Sequence, residues 1–343
     1  MNKEILTRYF YDSAYRHEQP VSVTIELLTK CNMRCKHCYI PKRVHSGFEF
    51  GQIKKLLYEL REMGVLNVIF TGGEIFLRED ILDIIQIARK LHMRVILLSN
   101  GTLLNKEIAT KLAELHITEF STTLFSLNSE IHDEITGIKG SMNLLLDNLE
   151  ILKYLGINVH IKTPLMSSNS NDFYAIKEYC KENSFGFRPG IRIFSKLDGD
   201  SSPTEMMVPK SKLKELIVEI DNEGKDVQLD YGEVCAALKY SFYIDCHGNV
   251  YPCNSFLYKM GNIFERSIRD IWYSSKVYSE IRNFKKNNLD NCKKCSLEKY
   301  CTRCPAFAYF ENQDMYACDL FAKEIAELRL ENSMENAKMM KLI

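Results

Sequence analysis

Cysteines are the residues of this sequence whose spacing points most directly to chemistry. The 343-residue chain contains twelve of them. Three lie between Cys31 and Cys38, eight lie between Cys235 and Cys318, and Cys180 stands alone in the long stretch between these groups. In a reducing compartment, clustered thiols are more typical of metal binding or catalysis than of disulfides. We therefore expect two metal-binding regions and an inert, buried Cys180 in a helical segment.

The first group forms one short loop with the spacing C-x3-C-x2-C, made by Cys31, Cys35 and Cys38. Three thiolates can hold three irons of a cubane cluster and leave the fourth iron open to another ligand. A cluster used only for structure or electron transfer normally has four cysteines. The alternative is a zinc site, which needs a fourth protein ligand. His37 or His45 lies near enough in the sequence to supply it.

This loop resembles the hallmark loop of the radical S-adenosylmethionine (SAM) superfamily. The resemblance implies a catalytic [4Fe–4S] cluster whose open iron binds the amino and carboxylate groups of SAM. An electron from the reduced cluster would then cleave SAM to methionine and a 5′-deoxyadenosyl radical, which the protein positions and shields. Tyr39 follows the last cysteine of the loop. In relatives this residue lies near the adenine of SAM, and the alternative is that it only packs the loop.

Three further motifs stand at the ends of predicted strands and are similar to SAM-binding segments of the family. Their residues are Gly72, Gly73 and Glu74, then Ser99 and Asn100, and finally Ser126. The resemblance assigns the first motif to the methionine amino group of SAM, the second to its ribose or carboxylate, and the third to a further SAM contact. Glycine allows a ligand to approach the backbone closely, although each motif alone could be an ordinary turn. Asn128 stands where relatives often have glycine, and we expect this difference to reshape the substrate side.

The second cysteine group resembles the SPASM extension of radical SAM enzymes, in which seven cysteines bind two auxiliary [4Fe–4S] clusters. The pattern is C-x12-G-x4-C, ending at Cys253, followed by C-x2-C-x5-C-x2-C and a last cysteine at Cys318. Its one departure is that two residues, not three, separate Cys301 from Cys304. On spacing alone, one or two structural zinc sites are the alternative.

The resemblance implies a separate ligand set for each auxiliary cluster. The outer cluster would be held by Cys292, Cys295, Cys301 and Cys318, and the inner cluster by Cys235, Cys253 and Cys304. Seven cysteines leave the inner cluster one ligand short. Either Cys246 is the missing ligand, or the inner cluster keeps an open iron that can bind a substrate thiolate.

The elements that must position these residues alternate between short β-rich runs and segments of helical period. The predicted strands are Val21–Leu27, Asn67–Thr71, Arg94–Ser99, Glu119–Phe125, Asn158–Thr163 and a weaker Gly190–Phe194. The predicted helices between and after them are Gly51–Met63, Asp80–His92, Asn105–Leu115, Ser141–Leu155, Asp172–Glu182 and Lys210–Asn222. This alternation predicts βα units and a parallel sheet.

We therefore expect the α/β class, as a partial (β/α)6 TIM-like barrel with a small Cys-rich, iron–sulfur-stapled C-terminal domain. Ligands of parallel α/β folds lie at the carboxyl ends of the strands, where the SAM-related motifs fall. The expected domains are an N-terminal extension (1–20), a radical SAM core (21–228), a SPASM domain (229–320) and a C-terminal helix (321–343).

The charge and hydropathy of the chain argue against some classes of partner. Lys+Arg and Asp+Glu both number 45, so no net charge favours nucleic acid or an anionic membrane. No apolar run approaches the ~20 residues that span a bilayer, and the first residues lack the apolar core of a secretory signal. We expect a cytoplasmic protein without nucleic-acid or membrane partners.

The expected function is oxidative modification of a ribosomal peptide or protein, by analogy with SPASM relatives. Hydrogen abstraction would be followed by a cross-link or an oxidation that uses the auxiliary clusters. The expected partners are the substrate, an external reductant such as flavodoxin or ferredoxin, and a separate leader-peptide-binding protein. We expect the last because the twenty residues before Val21 are too few for a leader-binding domain.

Two other functions fit the same sequence. One is a radical SAM dehydrogenase or cofactor-biosynthesis enzyme that acts on a small molecule, and the other is a zinc-stapled binding protein without chemistry. No residue stands out as a catalytic base. Lys162, Arg188 and Arg192 follow or end late strands, and each either grips a substrate carboxylate or is a solvated charge.

Overall fold

The computed structural model describes residues 3–223, 237, 239–285 and 288–339, and Cys235 lies outside these residues. The chain divides into two compact units. One unit comprises Val21–Pro209 and Ile244–Gly248. The other comprises Met1–Pro20, which contains helix α1 (Lys3–Arg16), together with Lys210–Tyr243 and Asn249–Ile343. The domain boundaries expected from the sequence stay a prediction.

Six parallel strands form the sheet of the first unit. They are β1 (Ser22–Glu26), β2 (Asn67–Thr71), β3 (Arg94–Leu98), β4 (Glu119–Thr123), β5 (Val159–Pro164) and β6 (Gly186–Gly190). Each strand pairs in parallel with the next one along the chain, so the spatial order is the sequence order. The carboxyl ends of all six strands therefore meet at one edge of the sheet, which confirms the predicted α/β class with a parallel sheet.

Amphipathic helices connect these strands. They are α2 (Phe50–Glu62), α3 (Ile81–Lys90), α4 (Lys106–Glu114), α5 (Ser129–Thr136), α6 (Ser141–Tyr154) and α7 (Phe173–Glu182). In α3, for example, the buried residues are Ile81, Ile84, Ile85 and Ala88. This spacing places them on one helix face. Removing each large apolar side chain from water contributes about 1.5–3 kcal/mol.

The sixth strand does not lie where the sequence analysis placed it. The prediction of Gly190–Phe194 is wrong, because β6 covers Gly186–Gly190 and includes Pro189. Proline cannot donate a ladder hydrogen bond and is tolerated on edge strands. The strand β6 is the last of the sheet, so the proline needs no partner on its outer side.

The described part of the second unit contains short elements and three longer helices, of which α1 is one. Its remaining helices are α8 (Lys210–Glu223), α9 (Ile268–Ser274), α10 (Lys276–Arg282), α11 (Asp290–Lys293), α12 (Pro305–Asn312) and α13 (Leu320–Met339). Its strands β7 (Ser241–Ile244), β8 (Asn249–Tyr251) and β9 (Gly261–Asn262) are neighbours in this order, and β8 pairs with β9 antiparallel. The last residue of β7 is assigned to the first unit.

Two contacts show how the second unit is held together. The Trp272 side chain is fully buried, and its indole nitrogen donates to the Glu18 carbonyl at 2.8 Å. A bidentate ion pair joins the helices α8 and α13. In it, Arg329 donates to both carboxylate oxygens of Asp221, at 2.7 and 2.6 Å. Among the described residues, no helix has the length and apolar character that a membrane crossing requires.

Candidate active site

The three thiols of the first cysteine group lie together in the loop that follows β1. Cys31, Cys35 and Cys38 are close enough for their charges to interact. Burial, followed by the neighbouring Cys38 and Cys31 thiols, raises the pKa of Cys35 to about 12. Burial also raises the pKa of Cys31, and the nearby Glu74 and Cys38 add to this effect. The spacing of the sequence is therefore realised as one compact sulfur cluster.

This thiol cluster suits a cationic metal group. Burial and crowding disfavour the thiolate forms of Cys31 and Cys35, whereas a bound cation reverses that preference because thiolates are its ligands. Three soft sulfur donors fit an iron–sulfur cluster with one iron left open. When bound, such a cluster with SAM supplies one-electron chemistry, and the protein contributes the positions of the ligands.

Arginines hold the backbone of the cluster loop in place. The guanidinium of Arg43 donates to the Met33 carbonyl at 3.3 Å and to the Cys35 carbonyl at 3.1 Å. Arg34 donates to the Cys31 and Met33 carbonyls, both at 2.8 Å. These bonds satisfy loop carbonyls that no ladder satisfies, and they do not involve the three sulfurs. The role of Arg43 could not be predicted from the sequence, because a lone arginine after a loop carries no signal of it.

The Gly72–Gly73 turn lies directly against the same loop. The Gly73 amide donates to the Leu28 carbonyl at 2.9 Å, and the Glu74 amide donates to the Lys30 carbonyl at 2.8 Å. A Cβ atom at Gly73 would stand 2.1 Å from the Lys30 carbonyl oxygen. Glycine is therefore required here because the backbone before Cys31 passes so closely, which is a reason the sequence analysis did not foresee.

The carboxylate of Glu74 connects the ends of β2 and β3. It is fully buried and accepts hydrogen bonds from the amide of Phe76 at 3.0 Å and from the amide of Asn100 at 2.8 Å. The Ser99 hydroxyl lies 2.9 and 3.0 Å from its two oxygens. The structure thus gives Glu74 and Ser99 a positioning role, and their assignment as SAM contacts stays a prediction.

The side chain of Asn100 links the end of β3 to the cluster loop. Its Nδ2 donates to Asn32 Oδ1 at 2.8 Å and lies 4.0 Å from the Cys31 sulfur. Its Oδ1 accepts from the amide and hydroxyl of Thr102, and the Asn32 side chain donates to the same hydroxyl. Three strand ends therefore converge on Cys31, as the rule for parallel sheets requires.

Ser126 and Tyr39 belong to the same unit as the cluster loop. Their assignment as SAM contacts stays a prediction. Ser126 is fully buried, and its hydroxyl accepts from the Asn128 amide at 2.8 Å. Tyr39 is partly buried, and burial, followed by the charges of Glu26, Cys38 and Cys246, raises its pKa. The Tyr39 carbonyl also accepts from the Leu197 amide at 3.0 Å.

His37, which the sequence offered only as an alternative zinc ligand, is a further residue of this site. Its ring packs edge-on against Phe125, with ring centroids 5.0 Å apart. Its buried Nδ1 has no hydrogen-bond partner among the described residues. Burial, aided by the Arg43 charge, lowers the pKa of His37 to about 4. A buried ring nitrogen without a partner, placed between two cluster cysteines, fits a bound group that supplies the missing hydrogen bond.

The described cysteines of the second unit lie in two groups. The charges of Cys292, Cys318 and Cys295 all reach Cys301, whose pKa burial and the Asp319 charge raise. These four are the residues assigned to the outer cluster. Cys292 and Cys318 both approach Cys301 although they are far apart in the sequence. Their role as ligands remains a prediction, but a common group of four sulfurs suits a fully ligated iron–sulfur cluster.

The second of these groups contains two of the residues assigned to the inner cluster. Cys253 has Cys304 as its sulfur neighbour, and burial raises the pKa of Cys253 to about 11. The third assigned residue, Cys235, lies outside the described residues. The pairing of Cys253 with Cys304 agrees in position with a shared cluster, which stays a prediction.

Cys246 belongs to the first unit and lies beside three polar residues. Its amide donates to Glu26 at 3.3 Å, its thiol bonds the same carboxylate, and it is only 2% exposed. His45, Cys246 and His247 also have ligand atoms within 4.8 Å of one another. However, the His45 Nδ1 accepts from the Gly47 amide at 2.9 Å, so the neutral ring carries its proton on Nε2. That tautomer has no free lone pair for a metal.

A family model of the radical SAM superfamily matches residues 25–180, and a model of an iron–sulfur cluster-binding domain, SPASM, matches residues 235–296. The chain is 27% identical over 302 residues to the antilisterial bacteriocin subtilosin biosynthesis protein AlbA of Bacillus subtilis strain 168, covering 83% of this chain and 67% of AlbA. It is 24% identical over 331 residues to an AdoMet-dependent heme synthase of Methanosarcina barkeri, covering 86% and 94%.

The fold is also similar to that of a solved structure. The crystal structure of Streptococcus suis SuiB bound to precursor peptide SuiA gives a TM-score of 0.71 at 18% identity, covering 90% of this chain and 78% of SuiB. The two family models cover the first cysteine group and the second group from Cys235 to Cys295, and they indicate iron–sulfur clusters and SAM binding. The chain is therefore an enzyme of the radical SAM superfamily that carries a SPASM domain.

Proposed function

We propose that this enzyme oxidatively modifies a ribosomal peptide or protein and uses three [4Fe–4S] clusters to do so. The observation that carries the peptide assignment is the similarity to AlbA, a bacteriocin biosynthesis protein, across most of this chain. The fold that it shares with SuiB, a protein crystallised with a precursor peptide, supports the same class of substrate. An external reductant such as flavodoxin or ferredoxin and a separate leader-peptide-binding protein complete the proposed set of partners.

Each group of residues has a separate role in this proposal. Cys31, Cys35 and Cys38 hold the catalytic cluster, while the Gly72–Gly73 turn and Asn100 fix the loop from two sides. SAM would be bound at the same edge by Gly72, Gly73, Glu74, Ser99, Asn100, Ser126 and Tyr39. The outer thiols Cys292, Cys295, Cys301 and Cys318 would hold one auxiliary cluster, and Cys235, Cys253 and Cys304 the other.

The coordination of the inner auxiliary cluster stays open at one iron in this account. The buried thiol of Cys246 is bonded to Glu26, and burial and that carboxylate raise its pKa. Ligation by Cys246 would break this hydrogen bond to the buried carboxylate of Glu26. We therefore favour an open iron, which can bind a substrate thiolate, over ligation by Cys246.

The experiment is anaerobic turnover of the reconstituted enzyme with peptides encoded beside its gene. Three four-iron clusters predict about twelve irons per chain. With SAM and dithionite, the enzyme should form 5′-deoxyadenosine, and the peptide should lose hydrogen atoms as a cross-link or oxidised residue forms. A Cys31→Ala variant should abolish both products. A colourless zinc protein that forms no 5′-deoxyadenosine would contradict the proposal.

A second candidate function is supported by the similarity to the heme synthase. The match to this chain covers 94% of the heme synthase but 67% of AlbA. The name of the heme synthase indicates a small-molecule substrate. Mass spectrometry separates the candidates, because a peptide substrate predicts a modified peptide. A small-molecule substrate predicts 5′-deoxyadenosine formation that depends on a porphyrin and leaves every peptide unchanged.

A further inference from the structure

Four ionisable side chains that the cluster loop does not use lie together on the last three strands of the sheet. They are Glu119 on β4, His160 and Lys162 on β5, and Arg188 on β6. In the strand register, Lys162 lies opposite Thr123 on one side and Arg188 on the other. His160 and Lys162 share one face of β5, because side chains alternate along a strand.

The charge of Glu119 is already matched by Arg188. The guanidinium donates to its two oxygens at 2.8 and 3.4 Å, and His160 Nε2 lies 3.6 Å from one of them. Glu119 is buried whereas the Arg188 side chain is 41% exposed, so only the carboxylate end of this pair is shielded from solvent. Gly186 makes room for the imidazole, since a Cβ there would stand 2.4 Å from the His160 Nδ1.

Lys162 is left as the surplus cation of this group. Among the described residues, no carboxylate oxygen lies within 4.0 Å of its ammonium. Its side chain is partly buried, and burial and the Arg188 charge lower its pKa, while Glu119 opposes the shift. A sheltered ammonium beside a guanidinium is costly unless an anion joins it.

The position of Lys162 suits a ligand of the active site. The residue lies in the carboxyl-terminal half of β5 and pairs with Thr123, three residues before Ser126. Ligands of parallel α/β folds bind at this edge. One carboxylate and two cations leave a single positive charge on the group while His160 is neutral, and a monoanionic carboxylate offsets it.

We propose that Lys162, with Arg188 beside it, binds a carboxylate of the substrate. This inference rests on the proposed function, in which an organic substrate enters at the carboxyl ends of the strands. The family resemblance assigns the carboxylate of SAM to the open iron of the cluster. The carboxylate that binds Lys162 must therefore come from the substrate. A substrate with an acidic side chain or a free carboxyl terminus beside the reacting carbon meets this requirement.

The test compares a carboxylate probe with its neutral amide on the intact, cluster-loaded enzyme. The probes are N-acetyl-L-glutamate α-amide and N-acetyl-L-glutamine α-amide, titrated anaerobically in the presence of SAM and followed by ligand-observed NMR. The wild type should bind the acid about tenfold more tightly than the amide, as one charge-assisted hydrogen bond provides. This preference should vanish in Lys162→Met and survive in Lys162→Arg.

Two controls keep the result interpretable. Lys181→Met removes an exposed lysine of α7 that pairs with Glu178, and it should leave the preference unchanged. The dissociation constant of SAM should also be unchanged in Lys162→Met. An equal affinity of the wild type for both probes, or a preference that survives in Lys162→Met, would overturn the proposal, and so would a tenfold loss of SAM affinity. Because binding is measured without turnover, a failure to modify any peptide leaves this test intact.

Discussion

At the scale of single residues, one methyl group tests how closely the Gly72–Gly73 turn supports the cluster loop. In Gly73→Ala the new Cβ would meet the Lys30 carbonyl oxygen at 2.1 Å and the Thr29 carbonyl oxygen at 2.5 Å. Both are backbone atoms directly before Cys31, so the loop must move. We expect a loss of about 1–3 kcal/mol in unfolding free energy, typical of overpacking.

Cluster content is the measurement for this variant, because a displaced loop should hold less iron after reconstitution. The matched control is Gly51→Ala, since a Cβ at Gly51 in α2 meets no atom within 4 Å. That change should keep the iron content and raise stability slightly, as alanine favours a helix over glycine. Equal iron content in the two variants would show that the turn does not support the loop.

A second residue-scale prediction concerns the charge of His132. This ring is buried, and its Nδ1 accepts from the Phe125 amide at 3.3 Å. Burial lowers its pKa from 6.5 to about 4, so the folded chain keeps it neutral where the unfolded chain protonates it. The folded state therefore loses stability as the pH falls from 6.5 towards 4, by an amount on the order of 3 kcal/mol.

Hydrogen exchange at the imidazole C2 carbon, followed by mass spectrometry, reads this pKa directly. The expected midpoint for His132 lies near 4. A midpoint near the ordinary histidine value would show that the ring is accessible to water and does not hold its buried hydrogen bond from the Phe125 amide.

At the scale of elements, hydrogen bonds of the Glu74 carboxylate connect the end of β2 to the end of β3. The Glu74 carboxylate accepts from the Phe76 amide, the Asn100 amide and the Ser99 hydroxyl. Glutamine replaces one of its two acceptor oxygens with an NH2 group, which is a donor. At least one buried donor then loses its acceptor, at a cost of about 1–3 kcal/mol. We expect Glu74→Gln to weaken SAM binding through the displaced Asn100, measured by anaerobic equilibrium dialysis.

The control for this element is Glu178→Gln, which removes only the exposed pair with Lys181 on α7. It should change neither the melting temperature nor the affinity for SAM, because exposed ion pairs contribute little. If Glu74→Gln behaves like this control, the two strand ends do not depend on the shared carboxylate.

Elements also show how far the sequence alone could predict this structure. Short β-rich runs between segments of helical period identified the first five strands, and the spacing of Cys31, Cys35 and Cys38 identified a compact loop, since both signals are local. The contacts of Glu74 with Asn100 and of Arg43 with the loop carbonyls join residues whose meeting depends on the fold. The strand containing Pro189 was misplaced because tolerance for proline depends on edge position, which a sequence does not display.

At the scale of the whole molecule, the two cysteine groups should load iron independently. The double variant Cys292→Ala/Cys295→Ala removes two of the four thiols proposed for the outer cluster. We expect it to lose about four irons per chain and to retain the formation of 5′-deoxyadenosine, because the catalytic thiols lie in the first unit. Iron analysis and product chromatography measure the two quantities.

The matched control is Cys180→Ala, which removes a buried thiol in α7 that belongs to neither cysteine group. It should keep the full iron content and lose only packing. Loss of the same number of irons in this control would mean that Cys180 is a ligand, contrary to its assignment as an inert apolar residue.

The central claim is that Cys31, Cys35 and Cys38 hold a cluster with one iron open to SAM, and electron paramagnetic resonance tests it most directly. The measurement uses enzyme reduced with dithionite, in which the auxiliary cysteines Cys253, Cys292 and Cys295 are replaced by alanine so that one cluster dominates the spectrum. The account predicts a [4Fe–4S] signal that shifts when SAM is added and disappears in Cys35→Ala. A spectrum that SAM leaves unchanged, or one that persists without Cys35, would contradict it.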